Sequence, residues 1–314
     1  MKPDPTDQNP LVSIVVPVYR SANTIRTLKE RLESAMNRAG MTHEIIFVDD
    51  CGGDGSWEII QSLSLESPHV RGIKLSRNFG QHAATLCGIS RANGEWVVTI
   101  DDDLEHPPES APELVKTAKT GFTLVYGVSE SRSHAFWRNA TSEIGRSLFK
   151  FAIPSLNREY TSFRAIHRSA AEALGRFQSP FTFVDGYLSW ITSNYATVTV
   201  PHHPRGESRS NYNLRKLLTH MINIFVTFSD LPLRLATWLG IGASLGGAAW
   251  GAFILISRFT GTVSVSGYAS LMAAIMFVGG IQLLILGIFG EYLARINFRT
   301  GSMPLFLVER ECGR

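Results

Sequence analysis

Two long apolar stretches near the carboxyl end, Leu235–Ile256 and Tyr268–Phe289, restrict what this chain can become more than any other feature. Between Leu235 and Gly290 the only charged residue is Arg258. Each stretch has the roughly 20 residues a helix needs to cross hydrocarbon. Helices of water-soluble domains rarely stay apolar on every face for so long, so the pattern predicts a transmembrane hairpin over 235–291. Arg215, Lys216 and Arg234 precede it, Arg295 and Arg299 follow it, and the loop Ser257–Gly267 is weakly charged. The positive-inside bias then places both flanks in the cytoplasm and the loop outside. Gly242 and Gly246, then Gly247 and Gly251, repeat at a spacing that lets helices approach closely in a bilayer. They are expected to pack the hairpin on itself or to join subunits in a homo-oligomer.

Ahead of the hairpin the composition is that of a water-facing domain. The first ten residues, MKPDPTDQNP, lack the apolar core of a signal peptide and read as a tail over 1–10. With both termini cytoplasmic, the domain over 11–213 stays in the cytosol, joined to the hairpin by a juxtamembrane segment over 214–234. A cytoplasmic tail over 292–314 closes the chain. Thirty Lys and Arg against 27 Asp and Glu leave a formal charge of +3, so no nucleic-acid partner is expected. Cys51, Cys87 and Cys312 form no CxxC pair and no disulfide framework, as in a reducing compartment.

Residues 11–100 alternate apolar runs with helical periodicity. Leu11–Val16, Glu44–Val48, Val70–Leu75 and Trp96–Ile100 read as strands, the first as a strand buried on both faces. Ser21–Arg38, Ser56–Leu65 and Gln81–Arg91 read as helices, with Ser21 as the first one's cap. This alternation predicts an α/β fold with a mostly parallel sheet, whose ligands sit at the carboxyl ends of the strands. Those ends carry Pro17-Val18-Tyr19, Asp49-Asp50 and Asp101-Asp102-Asp103. No glycine-rich phosphate loop of the dinucleotide or P-loop type is present, so a bound diphosphate needs positive charge from elsewhere. Asp101 and Asp103 form a D-x-D directly after a strand. Hard divalent cations, Mg²⁺ or Mn²⁺, take one or two carboxylates and let phosphate oxygens complete the shell, so these two are the expected metal ligands.

Beyond the sheet, Ser142–Ile153 and Leu214–Phe228 mix basic and apolar residues as interfacial helices do. Arg164, Arg205, Arg209 and Arg215 gather in the part of the sequence that faces the membrane side, and guanidinium binds phosphate through a fork of donors. Asp185, in FTFVDGYLSW, is the best general-base candidate, although an Asp before Gly is equally a turn residue.

In order, PVYRSANT, IIFVDDCGGDGSW, LSRNFGQHAATLCGIS and VVTIDDDLEHPPE resemble the segments of the GT-A fold family-2 glycosyltransferases. The subgroup they resemble most is the polyprenyl-phosphate glycosyltransferases: dolichyl-phosphate mannose synthase, bactoprenyl-phosphate glucosyltransferase and undecaprenyl-phosphate aminoarabinose transferase. The resemblance continues through Phe163-Arg164, Arg205…Ser210-Asn211-Tyr212, Pro232-Leu233-Arg234 and Gly290-Glu291-Tyr292, covering nearly the whole chain. It implies a GT-A catalytic domain that moves a sugar with inversion from a nucleoside diphosphate, UDP in preference to GDP, to a polyprenyl phosphate. It also implies that Pro17, Tyr19 and Asp49 or Asp50 hold base and ribose, with Arg77 near the nucleotide; Asp102, a departure from the subgroup, is expected on the same nucleotide side. Arg164 and Arg205, with Arg209 and Ser210, would meet the acceptor phosphate. Departures from the subgroup are Asp102 and His106 in DDDLEHPP, Cys51 to Asp54, Thr161-Ser162 before Phe163, and Asn211 where lysine is usual. A transferase acting on a membrane-bound sugar hydroxyl is the alternative, although the Q-x-x-R-W of processive synthases is missing. A transport accessory or a nucleotide-sugar sensor are the non-enzymatic readings.

Overall fold

The structure, a computed structural model, describes residues 10–129, 160–177, 183–201, 231–260, 267–300 and 304–313. The chain divides into two compact units, Met1–Asn213 with Met303–Arg314, and Leu214–Ser302.

The first unit is built on an eight-stranded sheet. Its centre is β1 (Val12–Val18), with all seven residues buried, flanked in parallel by β2 (His43–Asp49) and β4 (Trp96–Thr99). Next to β2 lies β3 (Val70–Leu75), also parallel. On the other side of β4 stand β6 (Arg164–His167), antiparallel, then β5 (Leu124–Ser129) and β7 (Tyr195–Val200). The crossovers are α1 (Ile25–Arg38), α2 (Ser56–Glu66), α3 (Gln81–Ser90) and α4 (Ala111–Ala118), with α5 (Arg168–Leu174) and α6 (Val184–Ile191) following β6. On α1 the buried residues are Ile25, Leu28, Leu32, Ala35 and Met36, the three-and-four spacing of one helical face. Ser21 does not cap this helix through its side chain. Its hydroxyl donates to the Tyr19 carbonyl (3.2 Å) and its N–H to Ser56 Oγ (3.3 Å).

Chain direction fixes where a ligand can enter. From β1 the chain moves outward to β2 and β3, then returns past β1 to form β4 on its other side. The β1/β4 boundary is therefore a topological switch point, where the loops at the strand ends diverge and leave a crevice. Pro17 lies inside β1 without loss. Val15 gives its carbonyl to Ile100 N–H (3.2 Å) on the β4 side, and Pro17, of the same parity, faces the place where β4 has ended.

The carboxyl-terminal segment departs from expectation. Residues 292–314 do not form one separate tail: the last long helix runs on to Thr300, and β8 (Val308–Cys312) pairs antiparallel with β3 as the sheet's outer strand. β3 would otherwise present an open edge. Charge fixes the match, with Glu311 paired to Arg91 and Glu309 to Lys74 (3.9 Å). Leu307 accepts Ser76 N–H at 2.9 Å, where β3 enters the loop toward α3.

The second unit holds two long helices, α7 (Leu231–Phe259) and α8 (Tyr268–Thr300), each longer than the apolar stretch that announces it. Among the described residues one window, Phe277–Ala294, is long and apolar enough to cross a membrane, with mean hydropathy 1.7. Where the helices meet, a Cβ on Gly240 would lie 3.6 Å from Ile285 Cδ1. Added Cβ atoms on Gly242, Gly246, Gly247 and Gly251 would meet nothing within 4 Å, so these glycines are not what the hairpin packs on. Ser142–Ile153 and Leu214–Phe228 lie outside the described residues.

Gly72 gives the sheet edge a test. A Cβ there would stand 2.4 Å from Ile60 Cγ2 and 2.6 Å from Cys312 Sγ, squeezed between α2 and β8. Gly72→Ala is expected to cost about 1–3 kcal/mol through overpacking, read as a lower thermal midpoint of the full-length protein. An unchanged midpoint would show that β8 does not press on this edge.

Candidate active site

The loops that follow β1, β2 and β4 each contain a strained residue. Among the described residues three non-glycines have positive φ: Arg20 (59°), Cys51 (58°) and Leu104 (61°). Such backbone costs of order 1–3 kcal/mol apiece and persists only where surrounding contacts enforce it. Here those contacts surround a cleft of about 340 Å³ at the switch point, lined by Pro17, Val18, Tyr19, Asp50, Asn78, Gly80, Gln81 and Asp101–Asp103.

Tyr19 is 45% exposed, its ring beside the Arg20 guanidinium (5.2 Å to the centroid), so it offers a partly open aromatic surface. Asp50 is buried, and its two carboxylate oxygens accept Phe79 N–H (2.7 Å) and Gly80 N–H (2.8 Å). Burial raises its pKa against the pull of those two donors. Asp49, also buried, does not line the cleft, and among the described residues its carboxylate accepts a long contact from Gly52 N–H (3.5 Å). Of the two acids expected beside the nucleotide, Asp50 is thus the one at the cleft. Arg77 stands outside the cleft lining, with its guanidinium 4.8 Å from the centre of the Phe79 ring.

The three consecutive aspartates have separate partners. Asp101 accepts Gln81 Nε2–H on one oxygen and the Ser162 hydroxyl on the other, both at 2.6 Å. Asp102 accepts Tyr19 N–H at 3.0 Å, tying the β1 and β4 loops together. Asp103 accepts Glu105 N–H at 3.1 Å. Burial pushes the Asp101 carboxyl up to about 6, and the Asp103 and Asp102 charges push the same way; the Ser162 bond and Arg164 oppose them. Burial likewise raises Asp102. His106 stacks on Phe163, centroids 5.4 Å apart.

Two expected site residues lie deeper. Arg164 is 2% exposed and Asp185 4%, and they form an ion pair with each other. Arg164 Nε also donates to Thr99 Oγ1 (3.1 Å), and the Tyr126 hydroxyl donates to Asp185 (3.2 Å). Burial and mutual pairing oppose direct contact of Arg164 with an acceptor phosphate and proton abstraction by Asp185. Arg205, Arg209 and Ser210 lie outside the described residues.

The donor set fits a divalent cation. Four carboxylates line one cleft, Asp50 buried and Asp101–Asp103 partly so, and repulsion from Asp103 and Asp102 is part of what raises Asp101. No group of three or more metal-ligating side chains is found among the described residues. Two carboxylates facing an open cleft are nonetheless the set that Mg²⁺ or Mn²⁺ uses when phosphate oxygens complete its shell.

Residues 13–175 match the family described as glycosyl transferase family 2, and residues 231–296 match the GtrB C-terminal hairpin. The chain belongs to the family 2 glycosyltransferases. It is 32% identical over 314 residues to an undecaprenyl-phosphate 4-deoxy-4-formamido-L-arabinose transferase of Pseudomonas paraeruginosa, covering 99% of this chain and 92% of the relative. It is also 33% identical over 303 residues to an uncharacterised glycosyltransferase of Synechocystis, covering 95% and 94%. Among solved structures, glucosyl-3-phosphoglycerate synthase of Mycobacterium tuberculosis in complex with Mn²⁺ and UDP-glucose superposes with a TM-score of 0.51 at 17% identity, covering 69% of this chain and 77% of that one. At that identity the likeness establishes the GT-A fold. The hairpin match makes this family 2 member a membrane-associated protein.

Sequence reasoning did not name Gln81, Thr99, Ser162 or Asp54 as site residues. The last accepts Ala22 N–H at 3.0 Å and the Ser56 hydroxyl at 2.7 Å, joining the β1 and β2 loops. Its place in the Cys51–Asp54 motif was the available signal, as the Thr161-Ser162 departure was for Ser162; Thr99 carries none of its own.

Asp50 organises the β3–α3 loop through two N–H groups, so Asp50→Asn, which offers one acceptor oxygen in place of two, should free one of them. A lost charge-assisted bond of this kind costs about 1.5–3 kcal/mol. Amide exchange at Phe79 or Gly80 should accelerate roughly tenfold or more, and equal protection in parent and variant would refute the assignment.

Proposed function

We propose that this glycosyltransferase moves a sugar, with inversion, from a nucleoside diphosphate sugar, UDP-linked in preference, to a polyprenyl phosphate of the undecaprenyl type at the cytoplasmic membrane face. The observation that carries it is the acidic cleft at the β1/β4 switch point on a chain related along nearly its whole length, hairpin included, to an undecaprenyl-phosphate sugar transferase. The cytoplasmic orientation rests on the arginines and lysine flanking the hairpin.

Tyr19, Pro17 and Asp50 are suited to the base and ribose, by stacking and by accepting hydrogen bonds. Asp49, Arg77 and Asp102 are assigned to the nucleotide as well, of which only Asp102 lines the cleft. Asp101 and Asp103 would hold Mg²⁺ or Mn²⁺, which when bound neutralises charge on the departing diphosphate. Arg205, Arg209 and Ser210 are assigned to the acceptor phosphate.

The acceptor's chemistry removes one requirement. A phosphomonoester carries about −1.5 to −2 charge near pH 7, so its oxygen attacks the anomeric carbon without losing a proton to the protein. The new carbon–oxygen bond forms as the bond to the nucleotide's terminal phosphate breaks, and the nucleoside diphosphate leaves with that electron pair. What remains for the protein is alignment and charge stabilisation, which suits a site whose buried Asp185 is already paired.

The direct test supplies sealed vesicles containing the protein with polyprenyl phosphate and a panel of nucleotide sugars, and identifies glycosylated lipid by mass. Product is expected with one UDP-sugar, only when donor reaches the cytoplasmic face, and is abolished by chelator or by Asp103→Asn. Transfer to a sugar hydroxyl instead of the lipid phosphate would favour the alternative acceptor, and chelator-resistant turnover would remove the metal.

Arg205 offers a second measurement. Arg205→Ala should raise the apparent KM for polyprenyl phosphate about tenfold to a hundredfold, the loss of a charge-assisted bond of about 1.5–3 kcal/mol. Arg205→Lys keeps the charge without the fork and should fall between parent and alanine. Weakened nucleotide binding with unchanged acceptor dependence would move Arg205 to the donor side.

A further inference from the structure

A buried ion pair with no part in the proposed reaction leads, bond by bond, to Asp101, the carboxylate assigned above to the metal. The Tyr126 hydroxyl donates to Asp185 (3.2 Å), Asp185 pairs with Arg164, and Arg164 Nε donates to Thr99 Oγ1 (3.1 Å). The Thr99 hydroxyl donates to the Ser162 carbonyl (2.5 Å), and the Ser162 hydroxyl donates to Asp101 (2.6 Å). Register brings these groups together: β4 and β6 run antiparallel with Thr99 opposite Arg164, so the residues before β6 pass alongside the D-x-D. Tyr126, Thr99, Arg164 and Asp185 are each at most 4% exposed, whereas Ser162 lies at the margin, half-buried.

We propose that Ser162 is a positioning residue that fixes the carboxylate plane of Asp101, and that the Thr99–Arg164–Asp185 relay holds Ser162 in that pose. This rests on the reading that Asp101 and Asp103 receive a divalent cation with the donor diphosphate.

Two arguments support it. Asp101 stands beside Asp102 and Asp103, whose charges repel it, and an unrestrained carboxylate there turns toward water. Donors on both of its oxygens, Ser162 and Gln81, stop that rotation and leave the remaining lone pairs for the cleft. In addition, a relay whose members are buried and mutually hydrogen-bonded is stiff, because any movement strands a polar group in low dielectric. If it stabilised only the core, it would not need to end in a hydroxyl aimed at an active-site carboxylate. Partners of this kind, one step behind a metal ligand, change metal affinity about 10- to 100-fold when removed.

The test uses full-length protein in lipid nanodiscs, with Mn²⁺ binding followed by its paramagnetic resonance signal in the presence of UDP. Ser162→Ala is expected to weaken Mn²⁺ binding about tenfold or more while leaving the metal-free thermal midpoint unchanged. Ser162→Thr, which keeps the hydroxyl, should recover most of the affinity. In turnover, Ser162→Ala should raise the Mn²⁺ concentration for half-maximal rate by a larger factor than it lowers kcat. For the relay, Thr99→Val should weaken Mn²⁺ binding and Thr99→Ser should restore it. Should the valine variant not fold, Arg164→Lys replaces it, keeping charge but removing the Nε donor, with the same loss expected. Parent-like Mn²⁺ binding by Ser162→Ala, beside lost binding by Asp103→Asn, would overturn the proposal and leave the metal reading standing. Parent-like binding by Asp103→Asn would sink the metal reading and the proposal with it. A folded Thr99→Val or Arg164→Lys with a lower midpoint but parent-like Mn²⁺ binding would overturn the relay.

Discussion

Tyr19 N–H reaches Asp102 across 3.0 Å, and with that bond the loop after β1 is tied to the loop after β4. The same device recurs around the cleft. Asp54 joins the β2 loop to Ala22 on the β1 loop, and Asp50 joins the end of β2 to Phe79 and Gly80 ahead of α3. Asp101 joins β4 to Gln81 on α3 and to Ser162 ahead of β6. A carboxylate has about four lone-pair sites, so each acid can restrain a neighbouring loop and still present a free face to a ligand. Parallel strands end together, and without such ties four loops leaving one sheet edge would spread apart. The strained residues Arg20, Cys51 and Leu104 sit in these same loops, where the ties hold them.

Concentrating acids in this way opposes folding, because burial and mutual repulsion disfavour their charged forms. Burial raises Asp49, Asp50, Asp101 and Asp102 alike. Backbone N–H groups offset part of this at Asp50, and a hydroxyl and the buried Arg164 charge do so at Asp101. Arg164 in turn is tolerable in the interior only because Asp185 and Thr99 meet it. Removing one member of a buried pair is strongly destabilising, because the partner is left as an uncompensated charge. The acidity of the cleft and the ion pair beneath it are therefore parts of one electrostatic arrangement.

Much of this was legible in the sequence, and the reason is physical. Strands buried on both faces must be largely apolar runs, which is why β1, β2 and β4 could be placed nearly to their ends. A D-x-D at the end of such a run marks the cleft because strand ends are where backbone leaves the core. What could not be read depends on pairing distant in sequence. β8 is five residues, VEREC, with no apolar run, and becomes a strand only because β3 offers an edge and Lys74 and Arg91 offer charges. Arg164 and Asp185 look like surface site residues until β6 is inserted beside β4 and they are buried against each other. Ser162 matters only through Asp101, 61 residues away along the chain.

The burial of Asp185 bears on how the reaction is divided between protein and acceptor. An enzyme that activates a neutral hydroxyl needs an accessible base with a pKa matched to its task, and a carboxylate already committed to a buried arginine is poorly suited to that work. Under the proposed reaction no such base is needed, because a phosphate acceptor arrives ionised. On that reading the acceptor also accounts for the hairpin. A polyprenyl chain confines its phosphate to the membrane surface, so the protein gains by being held there, and a hairpin does this without contributing to the chemistry. Under the proposed reaction, alignment is then the main demand on the first unit. A cleft whose acids double as loop ties, backed by a buried relay, meets that demand with a rigid frame.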